Sequence, residues 1–125
     1  MGHVRVKVKL ANPGRWREPV EIQDALVDTG ATFTTVPRAL AEQLGLEVFG
    51  QQATRTAAGV ISVDQSSAFL EYDGRRTVTP VWISDTYPGV LIGVFTLEAL
   101  GLAVDPASGQ LTESEFLLMA GFRPP

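Results

Sequence analysis

The sequence predicts a mostly-β fold with one or two short helices, built as a single domain over residues 1–125. Three observations carry that expectation. Apolar and polar residues alternate with a period of two in several segments, the mark of half-buried strands. Turn-forming residues punctuate those segments at Asn12-Pro13-Gly14, Ala57-Ala58-Gly59 and Asp73-Gly74. Only two short stretches read as helix. A chain of 125 residues with 45% hydrophobic composition buries roughly two-thirds of its unfolded surface, enough for a core. There is no linker, internal repeat or low-complexity tract.

Val4, Val6, Val8 and Leu10 alternate with Arg5, Lys7 and Lys9, giving a first strand with a solvated basic face. Val20 to Val27 reads as a second strand that becomes wholly apolar at Ala25-Leu26-Val27, as a strand ending in the interior does. Asp28-Thr29-Gly30 breaks it. Pro37 to Leu44 reads as a short helix, with proline in its first turn and Gly45 closing it. Strands follow from Glu47 to Thr56 and from Val60 to Tyr72, with Ala57-Ala58-Gly59 as the hairpin tip. Asp73-Gly74 is a two-residue hairpin signal. Thr77 to Ile83 is the return strand, where Pro80 points to an edge or a bulge. Val90-Leu91-Ile92 is a short buried run that stops at Gly93. Thr96 to Leu100 is a second short helix, closed by Gly101. Leu102 to Leu111 reads as strand, turn, strand. The tail, residues 112–125, is ambiguous, with a helical option over Glu115 to Met119.

Composition removes several kinds of chemistry. The net charge of -4 argues against a nucleic-acid partner, which calls for a basic stripe. With no cysteine, thiolate catalysis, disulfides and cysteine-ligated metals are excluded. The single histidine, His3, lies at the extreme N-terminus, a poor place from which to hold a serine nucleophile. No metal site and no cofactor are expected. Residues 1–9 carry no apolar leader segment, and the run from Phe116 to Ala120 is far too short to span a bilayer. The expectation is therefore a cytoplasmic protein without a membrane partner. What remains is oxygen chemistry, with six Asp and eight Glu to supply it.

Two features stand out among those residues. One is Ala25-Leu26-Val27-Asp28-Thr29-Gly30-Ala31. The other is Val90-Leu91-Ile92-Gly93, followed by Leu97-Glu98. An isolated Asp-Thr-Gly usually marks a turn. Placed directly after a buried apolar strand, it puts a carboxylate where desolvation costs several kcal/mol unless a partner is supplied. Asp24, Asp64, Asp73, Asp85 and Asp105 fall in turns or on alternating faces, as solvated carboxylates do. Trp16 and Trp82 are expected to pack rather than to stack a ligand.

The order of these parts resembles that of retropepsin-like aspartic proteases: apolar-apolar-Asp-Thr-Gly-Ala, a flap-like hairpin, then apolar-apolar-Gly and a short helix. The likeness covers about residues 20–111, and the stretch Leu91 to Leu111 is similar to the C-terminal part of small prokaryotic, single-lobe members. The resemblance implies a closed β-barrel or sandwich of the acid-protease type that pairs as a twofold homodimer. It also implies an aspartic endopeptidase acting on peptide or protein substrates. Asp28 would be the catalytic residue, with Thr29, Gly30 and Ala31 supporting it in the active-site loop. Leu91, Ile92 and Gly93 would pack behind the loop. Ala57, Ala58, Gly59 and Val60 would form the flap over the substrate. Two carboxylates that close cannot both ionise, so they share a proton. The sequence holds one Asp-Thr-Gly, so the second aspartate would be Asp28 of another copy.

Retroviral members commonly carry an acidic residue after Asp-Thr-Gly-Ala and an arginine after the later glycine. Here those positions are Thr32 and Val94. Both partners of that ion pair are replaced together. The alternative reading is therefore a dimerisation or peptide-binding module of the same fold with little or no proteolytic activity.

Overall fold

The computed structural model describes residues 4–114. Its nine strands and two α-helices follow the chain as β1 (Val4–Ala11), β2 (Val20–Val27), β3 (Thr34–Pro37), α1 (Arg38–Leu44), β4 (Gly50–Thr56), β5 (Gly59–Tyr72), β6 (Arg75–Ser84), β7 (Leu91–Ile92), α2 (Val94–Leu100), β8 (Leu102–Val104) and β9 (Leu111–Glu113). A single 3-10 turn, Pro13–Arg15, follows β1. The mostly-β expectation, with two short helices, is what the molecule adopts.

Seven strands form one sheet in the order β1-β2-β7-β3-β6-β5-β4, and β1 also pairs with β5. That extra pairing closes a barrel. It is possible because β5 is long and changes partner along its length. Gly59 to Gln65 pair with β4, whereas Phe69 to Glu71 pair with β1. Closure shows in the burial of β1. Its first half alternates with Arg5 and Lys7 outward, but at its end Leu10, paired with both β2 and β5, and Ala11, paired with β5, are both buried. The register of β1 against β2 shifts between Val6 and Val8, a bulge that bends the strand into the barrel.

The core lies inside this barrel. Leu10, Val36, Leu70, Val81, Ile83 and Ile92 are essentially inaccessible, and Leu97 and Leu100 of α2 close over them. Both helices end on a glycine in the left-handed region, Gly45 at φ 65° and Gly101 at φ 76°. There the glycine N–H returns to the last turn, as from Gly101 to the Glu98 carbonyl at 3.0 Å. The Asp73-Gly74 signal is realised as a tight hairpin with φ of 51° and 81° at its two residues.

Some boundaries differ from the sequence reading. Strand β3 has no counterpart there. Pro37 is the last residue of β3 and caps α1, so the helix starts at Arg38. The second helix begins at Val94 rather than Thr96. Pro80 pairs with Ser67 of β5 one residue before β3 joins β6 at Val81. At that point β6 is paired with β5 alone, the edge situation in which proline is tolerated. The helical option over Glu115 to Met119 lies outside the described residues. Among those described, no helix is long and apolar enough to cross a membrane.

Candidate active site

Asp28 owes its position to a parallel pairing across the middle of the sheet. Leu26 faces Leu91 and Val27 faces Ile92. Hydrogen bonds extend that pairing at both ends, from Leu26 N–H to the Val90 carbonyl at 2.9 Å and from Asp28 N–H to the Ile92 carbonyl at 3.0 Å. The Asp28 main chain is thus fixed by β7 while its side chain stays free of the ladder. The chain then turns sharply. Gly30 N–H donates to Asp28 Oδ1 at 2.9 Å, and Ala31 N–H donates to the Asp28 carbonyl at 3.1 Å. A Cβ on Gly30 would come to 3.3 Å from Asp28 Oδ1, crowding the carboxylate. Asp28 and Ala31 are half-buried, and Thr29 and Gly30 stand exposed at the tip.

The loop is backed by the start of α2. Val94 N–H donates to the Ala31 carbonyl and Phe95 N–H to the Thr32 carbonyl, each at 2.9 Å. This contact requires glycine at position 93. A Cβ there would lie 2.6 Å from the Phe33 carbonyl carbon and 2.7 Å from the Thr32 oxygen, closer than atoms can sit. Thr32 and Val94 are uncharged and do not bond each other; each takes part in one of these two main-chain hydrogen bonds, Thr32 with Phe95 and Val94 with Ala31. Beneath them runs a chain of buried hydroxyls. Gly93 N–H donates to Thr34 Oγ1 at 3.1 Å, Thr34 Oγ1 lies 2.6 Å from Thr96 Oγ1, and Thr96 Oγ1 lies 2.8 Å from Thr79 Oγ1. All three threonines are buried. A satisfied polar chain of this kind fixes its members relative to one another. Sequence reasoning missed Thr34, Thr79 and Thr96. A threonine flanked by the apolar positions of a short helix, as Thr96 is by Phe95 and Leu97, was the one signal available.

The β4–β5 hairpin projects its turn, Ala57-Ala58, into solvent. Thr56 Oγ1 spans the turn, donating to the Gly59 carbonyl at 2.9 Å and accepting from Ala58 N–H at 3.2 Å. Gly59 has φ 118°, and Ala57, Ala58, Gly59 and Val60 are all exposed. Among the described residues no hydrogen bond joins this tip to Asp28. The base of the hairpin is anchored by charge. Arg38 at the start of α1 reaches Asp64 of β5 at 2.7 Å and grips both oxygens of Asp85 at 2.9 Å, and Gln51 of β4 donates to Asp64 at 3.0 Å. These hydrogen bonds, those to Asp85 first, hold the Arg38 guanidinium protonated beyond its ordinary range. In return Arg38, helped by Gln51, holds the Asp64 carboxyl below its ordinary value, and Arg38 does the same to Asp85.

Other aspartates serve surface pairs and turns. Asp24 meets Arg5 at 3.3 Å, and Asp105 caps the β8–β9 turn. Among the described residues no group of three His, Asp or Glu side chains is placed to hold a metal ion. Trp16 packs against Phe69 under Arg17. Trp82 packs against Phe33, whose ring centroid is 5.2 Å away, and Phe33 lies 5.8 Å from Phe95.

Residues 6–96 match the family model described as aspartyl protease. No curated protein matches the chain. Among solved structures, the fold is similar to that of EIAV protease complexed with the inhibitor HBY-793. The TM-score is 0.59 at 18% identity, covering 80% of this chain and 89% of that one. It is also similar to the solution structure of simian foamy virus (mac) protease, with a TM-score of 0.53 at 22% identity, covering 72% of this chain and 87% of that one.

Proposed function

This chain belongs to the aspartyl protease family, and from that premise we propose that it is an endopeptidase whose active site forms between two copies, each supplying Asp28. The observation that carries the reading is the state of that carboxylate. Asp28 sits half-buried at the end of an apolar strand, its Oδ1 engaged by Gly30 N–H. Among the described residues no hydrogen bond joins its Oδ2 to another residue and no ion pair includes it. A carboxylate so placed calls for a partner group. A second Asp28 across a twofold axis supplies one, because an isologous contact brings the same residue to itself.

In this reading the two carboxylates share one proton. The ionised member takes a proton from a bound water as its oxygen adds to the scissile carbonyl carbon. The protonated member gives its proton to the carbonyl oxygen, producing a tetrahedral diol. Collapse of the diol breaks the C–N bond, with a proton delivered to the departing nitrogen and the second hydroxyl proton returned to the pair. Thr29, at the exposed tip, braces the two loops. Gly30 and Ala31 leave room for substrate backbone. Leu91, Ile92 and Gly93 set the loop's height. Residues 57–60 act as the flap, and the exposed Val60 and Ile61 give it an apolar surface to lay over a peptide.

The test is cleavage of a diverse peptide mixture from acidic to neutral pH, read by mass spectrometry, beside Asp28→Asn. The variant keeps the oxygen that receives Gly30 N–H, so it folds. Cleavage by the unmodified protein alone is expected. Equal cleavage by both would remove Asp28 from the chemistry. Failure of a folded, dimeric protein to cut at any pH would favour the peptide-binding reading, which the uncharged Thr32 and Val94 motivate.

A further inference from the structure

We propose that the outer wall of the barrel, from a notch beside Phe49 to the Trp16 ring, is a docking groove for an acidic, extended segment of a protein partner. The proposal goes beyond the protease reading and stands whether or not the protein cuts peptides.

The notch follows from the way the barrel closes. On its edge opposite β6, β5 pairs with β4 up to Gln65 and with β1 from Phe69 onward, which leaves Ser66 to Ala68 without a neighbour there. A cavity of about 390 Å³ opens at this gap. Its walls are the turn after β1 (Asn12 to Gly14), Gly45, Glu47 and Phe49 between α1 and β4, and Ser67. Hydrogen bonds fix those walls. Asn12 Nδ2 donates to the carbonyls of Gly45 at 2.8 Å and Leu44 at 3.2 Å, and Asn12 Oδ1 accepts from Gly14 N–H at 2.8 Å. Ser66 Oγ donates to the Glu47 carbonyl. Phe49 N–H is held by the Gln65 carbonyl at 2.9 Å, yet the residue is 67% exposed at the rim. The cavity has room for one large side chain, since pockets for small molecules begin at about 300 Å³.

The groove continues along the β5–β6 hairpin. Thr79 and Val81 are buried inward, which sends Arg76, Val78 and Pro80 to the outer face, opposite Glu71, Phe69 and Ser67 of β5. Trp16 packs on Phe69, with ring centroids 5.7 Å apart, while Val78 beside it is left 56% exposed. The far end is cationic. The Arg17 guanidinium lies 4.1 Å from the Trp16 ring centroid and that of Arg76 lies 5.8 Å from it. Arg76 directs its Nε to Glu71 at 3.1 Å. Among the described residues its terminal nitrogens make no hydrogen bond, and Arg17 has no carboxylate within ion-pair distance. Lys9 has none either, because its two cross-strand neighbours are held elsewhere, Glu21 by Lys7 and Glu71 by Arg76.

These features set the chemistry and the polarity of the occupant. A carboxylate seated between Arg17 and Arg76 gains charge-assisted hydrogen bonds from two planar forks. Glu47 at the other end repels a carboxylate, so the apolar side chain belongs in the notch. Ser67 and Glu71 are about 13 Å apart along β5 at a rise of about 3.4 Å per residue. An extended segment of about five or six residues therefore spans notch and arginines. A second copy fits less well. An isologous contact would bring the cationic surfaces of both copies into one interface, and a head-to-tail contact would not close at the dimer.

The test titrates unlabelled hexapeptides into isotope-labelled Asp28→Asn, which leaves them uncut, and follows the indole N–H signals by NMR. Trp16 and Trp82 are the only tryptophans. Trp16 reports the groove, and Trp82, packed on Phe33 just past the Asp28 loop, reports the active-site side. Two probes carry Phe at one end and Asp-Glu at the other, one in each chain direction, and matched probes carry Lys-Lys in place of Asp-Glu. One acidic probe is expected to move the Trp16 signal with a Kd of about 1 mM or tighter. Adding Arg17→Glu should weaken that binding about fivefold and improve binding of the Lys-Lys probe. Adding Phe49→Ser should weaken the acidic probe about three- to tenfold. Both side chains are exposed, so both variants fold. Movement of the Trp82 signal alone puts the probe in the Asp28 cleft and overturns the proposal. Equal affinity for acidic and Lys-Lys probes, affinity untouched by Phe49→Ser, or no movement of Trp16 with any acidic probe overturns it as well. Assembly beyond the dimer that Phe49→Ser abolishes overturns it by giving the groove to a second copy.

Discussion

Replacing Gly93 by alanine tests how the Asp28 loop is held. The backbone at Gly93 has φ -89° and ψ 171°, a conformation open to any residue. Its need for glycine is therefore one of space. The added methyl would sit 2.6 Å from the Phe33 carbonyl carbon and 2.7 Å from the oxygens of Phe33 and Thr32. These are main-chain atoms and cannot rotate away. Relief requires the Thr32-Phe33 segment and the start of α2 to separate. Overpacking of this kind costs about 1–3 kcal/mol. Separation also strains the bonds from Val94 N–H to Ala31 and from Phe95 N–H to Thr32, each contributing about 1 kcal/mol net. The total is about 3–5 kcal/mol, or a fall in Tm of about 10–20 °C for a domain of this size. Thermal and denaturant unfolding by circular dichroism measure it. Gly109→Ala is the control. Gly109 lies at φ 71° with nothing within 4 Å of the added Cβ, so it bears only the left-handed penalty of about 1–2 kcal/mol. If Gly93→Ala proves as mild as Gly109→Ala, the close approach of loop and helix is not what fixes the site.

Thr96→Val removes the middle hydroxyl of the buried chain. It should destabilise by about 1–3 kcal/mol because Thr79 is left without its partner. The Thr79→Val/Thr96→Val pair should cost less than the sum of the single changes in the same denaturant titration. Arg38→Gln should lower Tm at neutral pH and blunt the acid dependence of stability. Asp64 and Asp85 have folded-state pKa values depressed below 3.8. Their stabilisation is therefore present above that value and lost as pH falls through the depressed ones. The gap in Tm between the two proteins should close progressively below about pH 4. A gap that persists undiminished would place the effect of Arg38 in packing rather than charge.

Much of this architecture can be read from residue patterns. The basic alternation from Arg5 to Lys9, the apolar end of β2 and the Asp73-Gly74 turn each signal their structure locally, and each forms as read. Strand β3 gives no such signal. Thr34-Thr35-Val36-Pro37 is too short and too polar, and its stability comes from β6 and β7, far along the chain. The same cause hides the threonine chain, since Thr34, Thr79 and Thr96 come together only once three separate elements pack. The break of the apolar run at Gly93 is legible, but the start of α2 at Val94 rather than Thr96 is not, because Val94 and Phe95 are held by main-chain hydrogen bonds to Ala31 and Thr32, far back along the chain. The Asp-Thr-Gly-Ala and later glycine are legible because both mark places where main chains approach closely. The Arg38 clasp is not, because its three members share no sequence pattern.

The shared-carboxylate account is tested most directly by mixing. Unmodified protein is combined with an equal amount of Asp28→Asn, subunits are allowed to exchange, and cleavage is measured at constant total protein. If each active site needs one Asp28 from each copy, only the unmodified homodimers cut, and activity falls to about a quarter of that of the unmodified protein. Activity of about one half under the same conditions, with mixed dimers shown to form, would mean that a single Asp28 suffices in each copy.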